Sequence, residues 1–393
     1  MESERRVARF AGSRSLLAAG LVATALAATA CPPPLTTPSP VATSANPQYV
    51  RETGSGEFLV PIERRPPDIP SDAVHIVDIS YVPSGWNMGG EADMTLDLYV
   101  PTSSPSLKGS RPVMVWFHGF GKAEALEEIA PAITELLFRG FIVASVEFTD
   151  DPAVQGLLPE TPIAQAKAAV RFVKALEKLS PIYDASRVFV AGRSLGGLLA
   201  SRVGLSGVGN PPLSEDVPYD SKPAGVVLFQ PAVNLQAMAD WVNGRSWDIG
   251  IEASIIRLVA VALMGCQLAG ERIFTSLPSC NDPGYIAKAL DLSASTYAAD
   301  GKGEVGFYTI TGSADLITQS VPQGRDFSAQ LSRRGGSGPV IWGDVVGGEH
   351  GMNTVDLLAN QFVDTSKPAS VNMARLLSFL GCATASGTGV VAC

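Results

Sequence analysis

The chain has 393 residues, of which 46% are hydrophobic and 17% charged, so a disordered polymer is excluded and a large folded core is expected. The formal net charge of −9 at pH 7 argues against a nucleic-acid-binding protein, which would need a basic surface. Only three histidines are present and no cysteine pair has metal-ligand spacing, so a zinc site is not expected.

The first 30 residues have the pattern of a secretory signal peptide. Four arginines precede the apolar stretch 15–30, which is rich in alanine. This stretch is shorter than the roughly 20 residues of a membrane-spanning helix, so we expect it to be cleaved and not to remain as an anchor. Residues 1–30 hold four arginines and two glutamates, and their removal takes the formal net charge from −9 to −11.

The signal peptide is followed by a cysteine, in the ending AATAC. This ending resembles a bacterial lipobox, in which the cysteine is acylated, and makes Cys31 a candidate lipidation site. Ala28, however, stands where a lipobox usually has leucine. The small residues ATA before Cys31 also fit an ordinary signal-peptidase cleavage site. Residues 31–72 are rich in proline, serine and threonine and predict a tether. We expect a bacterial cell-envelope lipoprotein, or a secreted protein if Cys31 is not acylated.

Four further cysteines are expected to form disulfides. An even number of cysteines in an exported chain predicts two bonds, and pairs of sequence neighbours are the simplest of the three connectivities. The four are Cys266, Cys280, Cys382 and Cys393.

Residues 73–393 predict one α/β domain. The alternating stretches HIVDISYV and MTLDLYV predict an antiparallel hairpin. Predicted strands and helices then alternate. The strands are PVMVWF, FIVASVEF, RVFVAG, GVVLF, GFYTI and PVIWGDV, and the helices include EALEEIAPAITELLFRG, TPIAQAKAAVRFVKALEKL, VPQGRDFSAQLSRR and SVNMARLLSFLG. This order predicts a mostly parallel, doubly wound sheet with helices on both faces.

Residues 234–299 form an insertion between two predicted strands. Because an insertion at the carboxyl end of a strand lies where open α/β sheets bind ligands, we interpret it as a helical cap over a pocket. The alternative is a helix that only packs on the sheet. Its apolar residues at near-helical spacing are Ile255, Ile256, Leu258, Val259, Leu263 and Leu268.

A predicted strand, a turn and a predicted helix meet at Ser194. Gly192, Ser194 and Gly196 form the pattern G-x-S-x-G between RVFVAG and the helical stretch LGGLLASRV. Glycines two positions either side of the serine leave room for a strained turn that lifts the hydroxyl clear of the sheet. An ordinary helix N-cap is the alternative role for such a serine.

The chain resembles the α/β-hydrolase superfamily, in its esterase and lipase branch, over about residues 75–381. The motifs that carry the resemblance are WFHGFG, YDASRVFVAGRSLGG, TGSAD and GGEHGM, in that order. The resemblance implies the α/β-hydrolase fold and a triad in the order nucleophile, acid, histidine. A triad is needed because a serine hydroxyl is a poor nucleophile without a base, and the base needs an orienting carboxylate.

Three residues fit the triad. Ser194 is the predicted nucleophile, and His350 is the predicted base because no other histidine follows Ser194. Asp315 comes directly after a predicted strand, where the family keeps its acid. Asp344 and Glu349 stay open as alternatives, since both are close to His350 in sequence.

Backbone donors for an oxyanion are expected at two places. The turn after the nucleophile supplies the NH of Leu195. The resemblance places a second donor in HGFG, at the NH of Phe120, with the NH of Gly121 as an additional candidate. It also implies that His118 braces this loop and is not the base, whereas His75 is expected to be structural.

The sequence therefore predicts a serine hydrolase that cleaves carboxylic esters through an acyl-enzyme and needs no cofactor. The expected substrate is a small-molecule, lipid or polymer ester, and no nucleic-acid partner is expected. Two alternatives stay open: an amidase or peptidase with the same triad, and a catalytically inactive binding lipoprotein with the same fold.

Overall fold

The structure is a computed structural model, and its described residues belong to one of two compact units, the one that spans Pro47–Ser246 and Ile256–Cys393. Several predicted features lie outside the described residues, and the expectations for them stay predictions. They are the predicted signal peptide and tether, the five cysteines, the oxyanion candidates Phe120 and Gly121, and residues 245–280 of the predicted cap. The described residues are 73–82, 94–102, 109–119, 136–137, 139–148, 160–205, 219–244, 281–299, 305–334, 338–345, 347–350, 371–381, 383–384 and 391–392.

Eight strands form one sheet in the order β1-β2-β4-β3-β5-β6-β7-β8. The pairs β1–β2 and β2–β4 are antiparallel, and every other neighbouring pair is parallel. The predicted opening hairpin and mostly parallel sheet are therefore both present. The strands are β1 (Ala73–Ser80), β2 (Thr95–Pro101), β3 (Arg111–Phe117), β4 (Ile142–Val146), β5 (Tyr183–Arg193), β6 (Gly225–Phe229), β7 (Gly306–Gly312) and β8 (Val340–Val345).

Described helices follow most of the predicted strands, whereas the predicted helix EALEEIAPAITELLFRG lies largely outside the described residues and stays a prediction. One described helix departs locally from the prediction. The stretch VPQGRDFSAQLSRR begins as a π-helix over Ser320–Arg325 and becomes α-helical only from Asp326. A short antiparallel pair, β9 (Ala383–Thr384) and β10 (Val391–Ala392), had no sequence signal. The helices are α1 (Glu160–Ala175), α2 (Leu195–Leu205), α3 (Leu235–Gly244), α4 (Pro283–Leu292), α5 (Ala294–Ala299), α6 (Asp326–Arg333) and α7 (Val371–Phe379), with a 3-10 turn over Leu176–Lys178.

Helices cover both faces of the sheet. Successive side chains of a strand point to opposite faces, so Phe307 and Tyr308 of β7 report on the two sides. The Tyr308 ring packs against Phe379 of α7, with ring centroids 5.9 Å apart. The Phe307 ring packs against Phe327 of α6, again at 5.9 Å, and Gly204 of α2 lies against the same ring. The doubly wound arrangement predicted from the sequence is therefore observed.

The two ends of the insertion are helical. α3 opens it, and α4 and α5 close it. The Asp282 side chain caps α4 by accepting hydrogen bonds from the backbone NH groups of Gly284 and Tyr285. On α5, the Tyr297 ring lies under the Arg202 guanidinium of α2 at 3.6 Å, so this end of the insertion packs against the helix that follows Ser194. In the part of the chain that the structure describes, no helix is long and apolar enough to cross a bilayer.

Candidate active site

Ser194 occupies a strained turn between β5 and α2. Its φ of +51° lies in the left-handed region that side chains other than glycine rarely adopt. The turn has no space for larger neighbours: a Cβ on Gly192 would overlap the carbonyl oxygen of Gly196, and a Cβ on Gly196 would overlap that of Phe117. The G-x-S-x-G pattern therefore folds into the strand–turn–helix corner predicted from the sequence.

The end of β6 anchors this turn. The Ser194 backbone NH donates to the carbonyl oxygen of Phe229 at 3.1 Å, and the Ala232 NH donates to the Ser194 carbonyl oxygen at 3.0 Å. The Ser194 carbonyl oxygen also accepts a second hydrogen bond, from the Leu198 NH of α2 at 3.2 Å. The serine backbone is thus fixed from the neighbouring strand and from its own helix.

Asp315 lies at the carboxyl end of β7, and its side chain is fully buried. Its Oδ1 accepts from the backbone NH groups of Ile317 at 2.8 Å and Thr318 at 2.7 Å. Its Oδ2 accepts from the Thr318 hydroxyl at 2.7 Å and lies 2.9 Å from His350 Nδ1. Because a carboxylate has about four acceptor positions, these four contacts fix its orientation.

The contact with Asp315 decides how His350 is presented. With the carboxylate at Nδ1, that nitrogen carries the proton, and Nε2 is left as the acceptor. The His350 side chain is mostly buried, at 15% exposure. The structure therefore brings the predicted acid and the predicted base into hydrogen-bond contact.

The two alternative acids are placed differently. Asp344 is exposed and accepts a hydrogen bond from the Thr311 hydroxyl at 3.0 Å. Glu349 is also exposed, and its backbone carbonyl accepts from Gln230 Nε2 at 2.6 Å. Asp315 is the buried carboxylate that contacts the histidine, so the geometry favours it over both.

Thr318 and Gln230 are parts of the site that sequence reasoning missed. The Thr318 hydroxyl lies 2.7 Å from Asp315 Oδ2, 3.2 Å from His350 Nδ1 and 3.0 Å from the Gln230 carbonyl oxygen. It has one proton, which the shorter distance and the negative charge of the carboxylate direct to Asp315 Oδ2. A threonine three residues after a loop aspartate is a usable signal for such a contact. Gln230 gave none.

His118 lies where a brace for the predicted oxyanion loop should be. Its Nδ1 donates to the carbonyl oxygen of Gly119 at 2.7 Å, and its Nε2 is 3.6 Å from Glu147 Oε2. The ring stacks on Phe148 with centroids 4.3 Å apart. Of the predicted oxyanion donors, Leu195 is the first residue of α2, at the positive end of the helix dipole. The other two, Phe120 and Gly121, lie outside the described residues.

His75 is far from this corner. It lies on β1, at the edge of the sheet, and its Nε2 is 2.9 Å from Asp97 Oδ2 on β2. Its ring stacks on Tyr99, with centroids 4.3 Å apart. These contacts hold the opening hairpin together, in keeping with the structural role expected for this residue.

The sequence segment that carries the nucleophile matches a known family. Residues 96–249 match the BD-FAE family model, which belongs to an α/β-hydrolase-type esterase family. The segment begins in β2 and ends after α3, so it contains Ser194, whereas Asp315 and His350 lie beyond it.

Solved structures share the fold. A truncated carbohydrate esterase from gut microbiota is 18% identical, with a TM-score of 0.51, over 72% of this chain and 91% of that chain. The bifunctional GH43-CE protein of Bacteroides eggerthii is 20% identical, with a TM-score of 0.53, over 78% of this chain and 35% of that chain. At these identities the likeness shows the fold, and it confirms the predicted α/β-hydrolase fold.

A curated sequence also matches one stretch. The non-reducing polyketide synthase mapC' of Penicillium brevicompactum is 29% identical over 123 residues. The match covers 29% of this chain, and the chain spans only 6% of the length of the synthase.

Proposed function

We propose that this chain, a carboxylic ester hydrolase of the α/β-hydrolase superfamily, works through an acyl-enzyme formed on Ser194. His350 is the general base and then the general acid, and Asp315 orients it. The observation that carries the proposal is the 2.9 Å contact between the buried Asp315 carboxylate and His350 Nδ1, which leaves Nε2 to take a proton.

In the acylation step, the Ser194 hydroxyl proton passes to His350 Nε2 while Oγ attacks the ester carbonyl carbon. The carbonyl oxygen becomes an oxyanion and accepts from the NH of Leu195 and from the NH of Phe120, with Gly121 as the additional donor. The imidazolium then gives its proton to the leaving alcohol, and the acyl group stays on Ser194. A water molecule, deprotonated by the same imidazole, releases the acid in the second half of the cycle.

Asp315 contributes to this cycle by electrostatics and orientation. Its carboxylate lies against the ring nitrogen that keeps its proton, so it stabilises the imidazolium that forms in each half-reaction. The carboxylate is held by three other hydrogen-bond donors, and it can therefore do this without reorganisation when the charge appears.

The proposal is tested by an active-site label and a matched variant. A fluorophosphonate probe is expected to label the protein on Ser194 and to block hydrolysis of p-nitrophenyl esters. Ser194→Ala should remove labelling and turnover together, while its circular dichroism spectrum stays that of the parent. Near-normal turnover in the variant would contradict the triad.

The same assay separates ester from amide substrates. A panel of p-nitrophenyl esters, an acetylated oligosaccharide and the matching p-nitroanilides covers the main chemical classes, and the sugar ester is included because a structural neighbour is a carbohydrate esterase. We expect turnover of the esters and little of the anilides, since amides must expel a poorer leaving group. An amidase or peptidase would also turn over the anilides at a substantial rate, and an inactive binding protein would turn over neither.

We also propose that the chain is exported and anchored in the cell envelope through an acylated Cys31, behind a cleaved signal peptide of residues 1–30. The support is the sequence pattern of the N-terminus and the four remaining cysteines. Mass spectrometry of protein from its native compartment is expected to find an acylated N-terminal cysteine and links Cys266–Cys280 and Cys382–Cys393. Four free thiols would contradict an oxidising compartment.

A further inference from the structure

Gln230 lies at the carboxyl end of β6, between the strand that carries Ser194 and the strand that precedes Asp315. Its side chain is fully buried. The residue before it, Phe229, accepts the hydrogen bond from the Ser194 backbone NH at 3.1 Å. Gln230 is therefore one peptide away from the anchor of the nucleophile.

Three polar contacts connect Gln230 to the rest of the site. Its backbone NH donates to the Ile310 carbonyl of β7 at 2.7 Å. Its carbonyl oxygen lies 3.0 Å from the Thr318 hydroxyl, beside Asp315. Its side-chain Nε2 donates to the Glu349 carbonyl at 2.6 Å, one peptide from His350. Gln230 thus contacts both the loop after β7, which carries Asp315, and the loop after β8, which carries His350 (the histidine loop).

Two features of Gln230 disfavour stability. Its φ of +45° is in the left-handed region, which is strained for a residue with a side chain. Among the described residues its buried Oε1 has no hydrogen-bond partner, and an unpaired buried amide oxygen is unfavourable. An apolar side chain of similar length would avoid the second penalty. What glutamine adds at this position is the Nε2 donor to the histidine loop.

We infer that Gln230 is a positioning residue that sets the separation between Ser194 and His350. Its backbone is fixed next to the anchor of Ser194, and its Nε2 holds the peptide that precedes His350, so its length determines where the imidazole stands. The inference rests on the proposed function, because the separation matters only if His350 activates Ser194. A misplacement of about 1 Å can lower a rate by about 10²-fold.

The test replaces the donor and keeps the shape. In Gln230→Met the side chain has a similar length and no polar atoms, and in Gln230→Glu an acceptor faces the Glu349 carbonyl. For both variants we expect kcat on a p-nitrophenyl ester to fall by about 10- to 100-fold with KM nearly unchanged. The rate of fluorophosphonate labelling should fall in parallel. The Gln230→Met variant should melt close to the parent, because removal of the unpaired oxygen offsets the loss of the Nε2 hydrogen bond.

Gln323 provides a matched control. It is also fully buried, but its amide bonds both backbone atoms of Asn234: Oε1 accepts from the NH at 2.7 Å, and Nε2 donates to the carbonyl at 2.9 Å. These bonds connect the π-helix to the start of the insertion. Gln323→Met should therefore lower the melting temperature and leave kcat within about twofold, the reverse of the result for Gln230→Met.

The outcomes separate the inference from the function on which it rests. Parental kcat in both Gln230 variants, or a loss of kcat only in proportion to a loss of folded protein, would overturn the positioning role while the esterase stands. If Gln230→Met does not fold, the isosteric Gln230→Glu decides alone. Absence of labelling and turnover in the parent protein would overturn the proposed function and the inference together.

Discussion

The described part of the chain contains two histidine–aspartate contacts of equal length in very different places. His350 Nδ1 lies 2.9 Å from Asp315, and His75 Nε2 lies 2.9 Å from Asp97. The Asp315 side chain is fully buried, whereas that of Asp97 is 29% exposed. Distance alone therefore does not identify a catalytic pair.

The surroundings make the difference. The Asp315 pair lies at the carboxyl ends of parallel strands, the end of the sheet that also carries Ser194 and the end at which open α/β sheets bind ligands. The Asp97 pair lies within an antiparallel hairpin at the edge of the sheet, and its imidazole stacks on Tyr99. The first arrangement leaves a ring nitrogen for chemistry, while the second uses the ring for packing.

The largest difference between the pairs is expected on replacing Asp315 with asparagine. The amide can donate to Nδ1, and this stabilises the tautomer whose Nε2 is protonated and cannot act as a base. Turnover should fall by about 10⁴-fold, the size of the effect when a triad loses this tautomer control. The measurement is kcat on a p-nitrophenyl ester, with labelling of Ser194 followed in parallel. Little change, combined with a large loss in Asp344→Asn or Glu349→Gln, would move the acid to one of those residues.

A smaller loss of turnover is expected on removal of the Thr318 hydroxyl, which donates to Asp315. Among the contacts described for Asp97, none comes from a side-chain hydroxyl. Thr318→Val keeps the volume and removes the donor to Asp315 Oδ2. We expect turnover to fall by about tenfold, or about 1.4 kcal/mol of transition-state stabilisation. The free energy of unfolding should fall by about 1.5–3 kcal/mol, as for a hydrogen bond to a charged group. Thr318→Ser, which keeps the hydroxyl, should restore both, and equal losses in the serine and valine variants would contradict a role for the hydroxyl.

How far the sequence predicts this site depends on how local each feature is. The turn at Ser194 was predictable because the glycines that permit it are two residues away. Asp315 was predicted from its position after a strand and His350 because no other histidine follows Ser194, and the structure brings the two into contact. Gln230 was not, because its side-chain bond to Glu349 spans 119 residues and exists only once β6 and the histidine loop are side by side.

The fold shows the same division. The positions of the strands and of the described helices followed from hydrophobic periodicity, which is a local signal, whereas the order of the strands in the sheet was not predicted. The π-helix over Ser320–Arg325 had no such signal, and it packs through tertiary contacts: a Cβ on Gly324 would crowd the side chains of Trp342 and Thr311. The donors Phe120 and Gly121, the insertion residues 245–280 and the cysteine pairs stay predictions.

The smallest effect is expected at Asp97, where the same substitution should be nearly silent. Asparagine keeps an Oδ1 acceptor for the Asp78 backbone NH, which Asp97 Oδ1 now accepts at 3.0 Å. The new amide can donate to His75 Nε2 if the ring takes the other tautomer. This change should not affect turnover, because the proposed cycle does not use His75. We therefore expect Asp97→Asn to lower the free energy of unfolding by at most about 1 kcal/mol, as for a partly exposed ion pair, and to leave kcat within about twofold. Urea unfolding and ester turnover, measured on the same preparations as Asp315→Asn, make the comparison direct. A loss of turnover at Asp97 near that at Asp315 would place the hairpin pair in the reaction and remove the distinction between the two.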